Sequence, residues 1–209
     1  MRIGIFGGTF DPVHLGHLIL AEQAREQGRL DEVWFVPAPR PPQKDGRAIT
    51  RFDVRVEMLE LAIAGHPAFR VDPLERDRTG PSFTVDTLIE LHRRAPEHTY
   101  ALIVGGDALA DLPLWRDPRG IVSRAELLVM ARPGSSPIDE GDLRRSLGLT
   151  GEDELRMRVI EAPLIDIASR DIRRRVTEGR SVRYLLPRSI EVFVGERRLY
   201  AAGRGAVGE

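Results

Sequence analysis

The stretch Gly7-Gly8-Thr9-Phe10-Asp11-Pro12-Val13-His14-Leu15-Gly16-His17 holds the residue types best suited to chemistry. An apolar run of strand length precedes it and a segment of helical period follows. Glycines at such a junction let the backbone close on a phosphate, and the helix N-terminus adds N–H donors and a favourable dipole. His14 and His17 lie three apart in the first helical turn and so share a face. Both can aim imidazole N–H groups at an anion over the turn, with Gly16 between them leaving room for the ligand. A tight turn with two capping or surface histidines would explain a glycine pair alone. It does not explain two of only five histidines at this spacing after this strand. The pattern is also not G-x-G-x-x-G, which argues against an NAD-dependent oxidoreductase.

Other residues are more ambiguous taken singly. Lys44 is the only lysine among 31 basic residues, a hint that a compact ammonium is wanted there. Ser169 fits a helix N-cap, and Arg173 opens the run Arg173-Arg174-Arg175, which by itself reads as a solvated helix face. Asp107 after Gly105-Gly106 fits an N-cap, and Thr84 fits a cap or strand end. Asp86 favours a helix N-terminus, and Trp115 either packs the core or offers a stacking face. His66, His92 and His98 are scattered and read as surface residues.

These residues need a frame, and the hydrophobic pattern supplies one. Strand-length apolar runs at Arg2–Phe6, Glu32–Pro37, Phe69–Pro73, Thr99–Val104, Glu126–Ala131 and Val159–Ala162 alternate with helical segments. The helices are expected at Leu15–Glu26, Phe52–Ala64, Thr84–Arg93, Asp107–Leu112, Ser169–Glu178 and Pro187–Glu196. Short apolar strands of this kind form a mainly parallel sheet covered on both faces. The expected fold is an α/β, Rossmann-like, doubly wound domain spanning residues 1–200, with a flexible tail at 201–209. Ligands in such sheets bind beyond the carboxyl ends of the strands, near the switch point. Ala38–Ile49, with Lys44, is a loop on that side, and Pro133–Glu154 is a second loop with a short helix at Asp139–Leu147.

Composition removes several classes. The 209 residues are 42% hydrophobic and 30% charged, which is globular rather than disordered. The formal net charge is −1, so no global positive field exists to hold a nucleic-acid backbone. No cysteine is present, which excludes disulfides, thiolate metal sites and a cysteine nucleophile. No signal peptide or membrane-spanning run is evident, and a cytoplasmic location is expected by default.

At this point the motifs become specific. GGTFDPVHLGH resembles the nucleotidyltransferase superfamily signature, whose H-x-G-H element contacts ATP phosphates. Its GGTFDP form resembles the nicotinate/nicotinamide mononucleotide adenylyltransferases. Ile167-Ala168-Ser169-Arg170-Asp171-Ile172-Arg173 is similar to the second motif of that family, I-S-S-T-x-I-R. Gly80–Leu88 resembles G-x-S-[YF]-T-x-D-T-L, and Gly105-Gly106-Asp107-Ala108-Leu109 with Trp115 resembles G-x-D-x-L…W. Pro41-Pro42-Gln43-Lys44 is similar to P-P-H-K. Gln43, Ala168 and Arg170 depart from the pattern.

The resemblance implies transfer of the adenylyl group of ATP to nicotinate mononucleotide, giving nicotinate adenine dinucleotide and pyrophosphate in NAD biosynthesis. His14 and His17 would then stabilise the α-phosphate and the departing pyrophosphate. Gly8, Thr9 and Phe10 would meet phosphates through their backbone, and Lys44, Ser169 and Arg173 would hold phosphate charge. Gly105 and Asp107 would face the ribose. Trp115 would stack on the pyridine ring, while Thr84 and nearby amides would meet its carboxylate. Mg²⁺ would arrive with ATP, bound mainly to phosphates and water, with no dedicated protein ligands. The partners implied are these small molecules, with a homo-oligomer possible. Four rivals remain open. They are an enzyme for phosphopantetheine or a polyol phosphate, a preference for the amide NMN, a nucleotide-binding regulator without turnover, and a tRNA-synthetase fragment. Gly80–Leu88 and Trp115 argue against the first. One lysine and the chain length argue against the last.

Overall fold

The structure, a computed structural model, describes residues 1–39, 49–131 and 139–202. Six strands form one sheet in the order β3-β2-β1-β4-β5-β6, and every recorded pairing is parallel. The strands are β1 Arg2–Gly8, β2 Glu32–Pro37, β3 Phe69–Val71, β4 Thr99–Gly105, β5 Ala125–Ala131 and β6 Met157–Glu161. The helices are α1 Leu15–Gln27, α2 Phe52–Ile63, α3 Thr84–Arg94, α4 Gly106–Ala110, α5 Pro118–Val122, α6 Glu140–Ser146, α7 Ser169–Thr177 and α8 Arg188–Glu196. The expected α/β Rossmann-like class holds.

Alternation along the strands explains the two covered faces. Val33 and Phe35 of β2, Ala101 and Ile103 of β4, and Leu128 and Met130 of β5 point to one side. There they pack against Ala21 and Ala24 of α1, Met58 and Leu59 of α2, Ile172 of α7 and Ile190 of α8. Ile3, Ile5, Trp34, Val36, Leu102, Val104, Leu127 and Val129 point to the other side, against Val85 and Leu88 of α3, Ile121 of α5 and Leu143 of α6. Burial on both faces is why these strands read as continuous apolar runs.

Two local differences matter for the site. The helix expected at Asp107–Leu112 is a single turn, Gly106–Ala110, followed by a 3-10 turn at Leu112–Leu114, because Pro113 cannot continue an α-helix. The helix Pro118–Val122 was not foreseen. Pro118 starts it and the Asp117 carboxylate caps it through the Gly120 N–H. The expected helix at Asp139–Leu147 is present as α6, and most of the loop expected at Ala38–Ile49 lies outside the described residues.

Candidate active site

The site begins where two neighbouring strands part. β1 and β4 pair as far as Ile5 and Leu102, then run on to Gly8 and Gly105. The chain goes from β1 to α1 on one face of the sheet and from β4 to α4 and α5 on the other. The crevice between their carboxyl ends is the switch point, the place where doubly wound sheets bind ligands.

The turn after β1 is held in a costly conformation. Phe10 has φ 50°, in the left-handed region that a bulky residue avoids. Burial of its ring offsets this cost. The ring lies 5.7 Å from Phe6, 5.7 Å from Phe35 and 5.1 Å from His17. A Cβ at Gly8 would lie 2.9 Å from the Phe10 ring, so only glycine lets that ring fold back under the turn. Phe10 therefore shapes the turn with its side chain.

His14 immediately precedes α1 and His17 stands in the first helical turn. Their rings stack at 3.6 Å with 21° between planes. The His14 N–H donates to His17 Nδ1 at 3.2 Å, which leaves Nε2 of neutral His17 as the N–H donor. His14 is only 5% exposed, and burial pushes its pKa down to about 4. It is thus a neutral imidazole at pH 7, and its buried Nδ1 has no hydrogen-bond partner among the described residues. Gly16 has a task within the protein itself. A Cβ there would lie 3.1 Å from His14 Nδ1, 3.2 Å from Cε1 and 3.2 Å from Ile165 Cγ2. The missing side chain makes room for the His14 ring.

Ser169 and Arg173 reach the same turn from α7. Ser169 is not the N-cap, which is Ala168 with no side-chain acceptor to offer. Its Oγ instead donates to the Pro12 carbonyl at 2.9 Å. Arg173 Nη1 donates to the Asp11 carbonyl at 2.6 Å and lies 4.0 Å from the Asp11 carboxylate. Arg170 is exposed, with its guanidinium 3.8 Å from the carboxylate of its neighbour Asp171. Ser169 and Arg173 therefore hold the turn that carries His14 and His17.

A buried network that sequence reasoning missed completes this support. Arg55 of α2, 1% exposed, donates from Nη1 to the Thr9 carbonyl at 2.6 Å and from Nε to the Thr50 carbonyl at 2.9 Å. Burial lowers its pKa, and the charge of Asp11 pushes the other way. The Tyr200 hydroxyl donates to Asp11 Oδ1 at 2.7 Å, and burial raises its pKa, followed by the Asp11 charge. The Thr50 N–H reaches Asp11 Oδ2 at 3.4 Å, while the Ala38 N–H donates to the Gly8 carbonyl at 2.9 Å. The segment carrying Lys44 thus leaves beside Gly8 and returns beside Asp11. Lys44 and Gln43 themselves lie outside the described residues. Arg55 had one signal in the sequence, since it shares the apolar stripe of α2 with Phe52, Val56 and Leu59. Tyr200 had none.

The other wall comes from β4 and α3. The N-cap of α4 is Gly105, not Asp107, which stands exposed in the first turn. Thr84 is likewise the first residue of α3 rather than its cap, which is Phe83. Trp115 is half-buried at the margin of the core beside the 3-10 turn, packed against the same cluster as Phe83. Arg116 ties the two segments together. Its guanidinium lies 4.9 Å over the Phe83 ring and 3.8 Å from the Asp86 carboxylate. Behind them the Thr87 hydroxyl donates to buried Glu75 and accepts from Arg78 at 2.9 Å. Arg78 also pairs with Glu75 at 3.1 Å.

The remaining histidines have structural contacts and are half-buried rather than at the surface. His66 stacks on Phe69 at 3.7 Å, His92 bonds the Arg124 carbonyl at 2.9 Å, and His98 packs edge-on to Trp34. Among the described residues no helix is long and apolar enough to cross a membrane.

A doubly wound sheet with a histidine-bearing turn at its switch point defines a nucleotide-binding protein built for phosphate chemistry. Residues 5–175 match the cytidylyltransferase-like family, and the chain belongs to that family, grouping within it with nicotinate-nucleotide adenylyltransferases. A relative from Thermomicrobium roseum named "probable nicotinate-nucleotide adenylyltransferase" is 43% identical over 199 residues, covering 95% of this chain and 91% of the relative. One of the same name from Thermus thermophilus is 44% identical over 200 residues, covering 96% and 100%. Among solved structures, the nicotinic acid mononucleotide adenylyltransferase of Plasmodium falciparum complexed with NaAD has a TM-score of 0.76. It is 19% identical and covers 95% of this chain and 97% of that one. At that identity it speaks for the fold.

Proposed function

We infer that the protein transfers the adenylyl group of ATP to nicotinate mononucleotide, forming nicotinate adenine dinucleotide and pyrophosphate in NAD biosynthesis. One observation carries the chemistry. It is the stacked pair His14 and His17, fixed at the open end of the switch point by a turn that four other side chains brace. The acceptor is named from the relatives that match nearly the whole chain.

The acceptor phosphate is already an anion and attacks the α-phosphorus of ATP directly, so no general base is needed. The rate comes from positioning and from donors aimed at the developing charge. His17 donates from Nε2. His14 contributes as a neutral imidazole, a donor that costs little to bury. Gly8, Thr9 and Phe10 present backbone to the phosphates, and Lys44 adds charge from its segment. Ser169 and Arg173 act first on the turn. Arg173 is partly exposed, so its guanidinium also meets phosphate. Gly105 and Asp107 face the ribose, and Thr84 and Trp115 receive the pyridine ring.

Mg²⁺ belongs to this proposal as part of the ATP complex. Among the described residues no group of three or more His, Asp or Glu is placed to hold a metal, and the Asp11 carboxylate is engaged by Tyr200. In this reading the ion is a substrate-borne charge held by phosphates and water. A cytoplasmic site of action and a possible homo-oligomer remain parts of the same proposal.

The test is pyrophosphate release with ATP and Mg²⁺, offering nicotinate mononucleotide, NMN and phosphopantetheine separately. The expected result is a clear preference for the nicotinate form, with His14→Ala or His17→Ala lowering the rate by about 10²–10³. Turnover confined to phosphopantetheine would discard the acceptor assignment and keep the ATP half.

A further inference from the structure

The acid and amide mononucleotides have the same shape and differ in one charge. Paired backbone N–H groups already favour a carboxylate, since a carboxamide offers one acceptor oxygen and a donor NH2, and a cation at that end of the site adds to the preference. Two arginines stand near the start of α3. Arg78 is committed, because its side chain is 18% exposed, pairs with Glu75 at 3.1 Å and bonds Thr87 at 2.9 Å. Arg116 is available. Its side chain is 59% exposed, and its ion pair with Asp86 is long, at 3.8 Å.

Resting on the reading above, we propose that Arg116 is a specificity-determining residue that selects the acid substrate by pairing with the pyridine carboxylate. It follows Trp115 in the chain and lies over Phe83, the neighbour of Thr84. Stacking on Phe83 limits the rotamers that substrate binding must freeze. Asp86 holds the guanidinium in a partly hydrated pair of small net value, which an arriving carboxylate replaces.

Exposure makes Arg116 safe to change. Steady-state kinetics would compare wild type, Arg116→Gln and Arg116→Lys with nicotinate mononucleotide and NMN, each at saturating ATP and Mg²⁺. Arg116→Gln should raise KM for the acid about fivefold, leaving kcat and the NMN constants within about twofold. Arg116→Lys should recover part of the preference. The wild-type KM for the acid should rise with ionic strength more steeply than that of Arg116→Gln. Equal losses with both acceptors, or an unchanged ratio in Arg116→Gln, overturns the proposal. A wild type that prefers the acid while Arg116→Gln keeps that preference sinks this inference alone. A wild type inactive with both pyridine nucleotides sinks the functional reading and this inference with it.

Discussion

Burial of His14 couples the site to the stability of the fold, and the coupling has a definite sign. In the folded protein burial lowers its pKa from 6.5 to about 4. Between these values the unfolded chain takes up a proton that the folded protein refuses. Stability is therefore whole above about pH 6.5 and falls as the pH drops toward about 4. Each unit in that window costs about 1.4 kcal/mol, so His14 alone should remove about 2 kcal/mol by pH 5. Urea denaturation at about pH 7.5 and about pH 5, on wild type and His14→Gln, isolates the effect. Other groups titrate in both proteins and cancel in the difference. Wild type should lose about 2 kcal/mol more than the variant between the two pH values. Parallel losses would show that His14 takes up its proton in the folded protein as readily as in the unfolded chain. The argument that burial keeps this imidazole neutral would then fail.

Two further changes probe the supports. Gly16→Ala places a methyl 3.1 Å from His14 Nδ1 and 3.2 Å from Ile165, contacts that yield only if the ring shifts by a few tenths of an ångström. Alanine also gains up to about 1 kcal/mol of helix propensity, so stability should hardly change while turnover falls about tenfold. Unchanged turnover in a folded variant would mean that the placement of His14 is not critical. Tyr200→Phe deletes a hydrogen bond to a buried carboxylate. It should cost about 2 kcal/mol in urea denaturation and raise KM for ATP more than it lowers kcat. A loss below about 0.5 kcal/mol would mean that Arg173 and Thr50 suffice to hold Asp11.

The sheet and most of its helices were legible in the sequence because their signals are local. Apolar runs such as Glu32–Pro37 and Thr99–Val104 repeat with strand length, and helices between them bury one face each. The turn Gly7–His17 was legible for the same reason, since its residues are contiguous and its chemistry depends on their spacing. What the sequence by itself determined was the class of fold, the strand–turn–helix that carries His14 and His17, and the family. Tertiary structure decided the duties within that frame. Ser169 and Arg173 read as phosphate ligands, and the fold also gives them a grip on the Pro12 and Asp11 carbonyls. Gly16 read as space for a ligand, and the fold shows that it also makes space for the His14 ring. Arg55 and Tyr200 had no assigned role, yet they hold the Thr9 carbonyl and the Asp11 carboxylate across 46 and 189 residues of chain. A buried polar group must find partners wherever the fold brings them, and no spacing along the chain encodes contacts that close only when α2, α7 and the C-terminal segment pack around one turn.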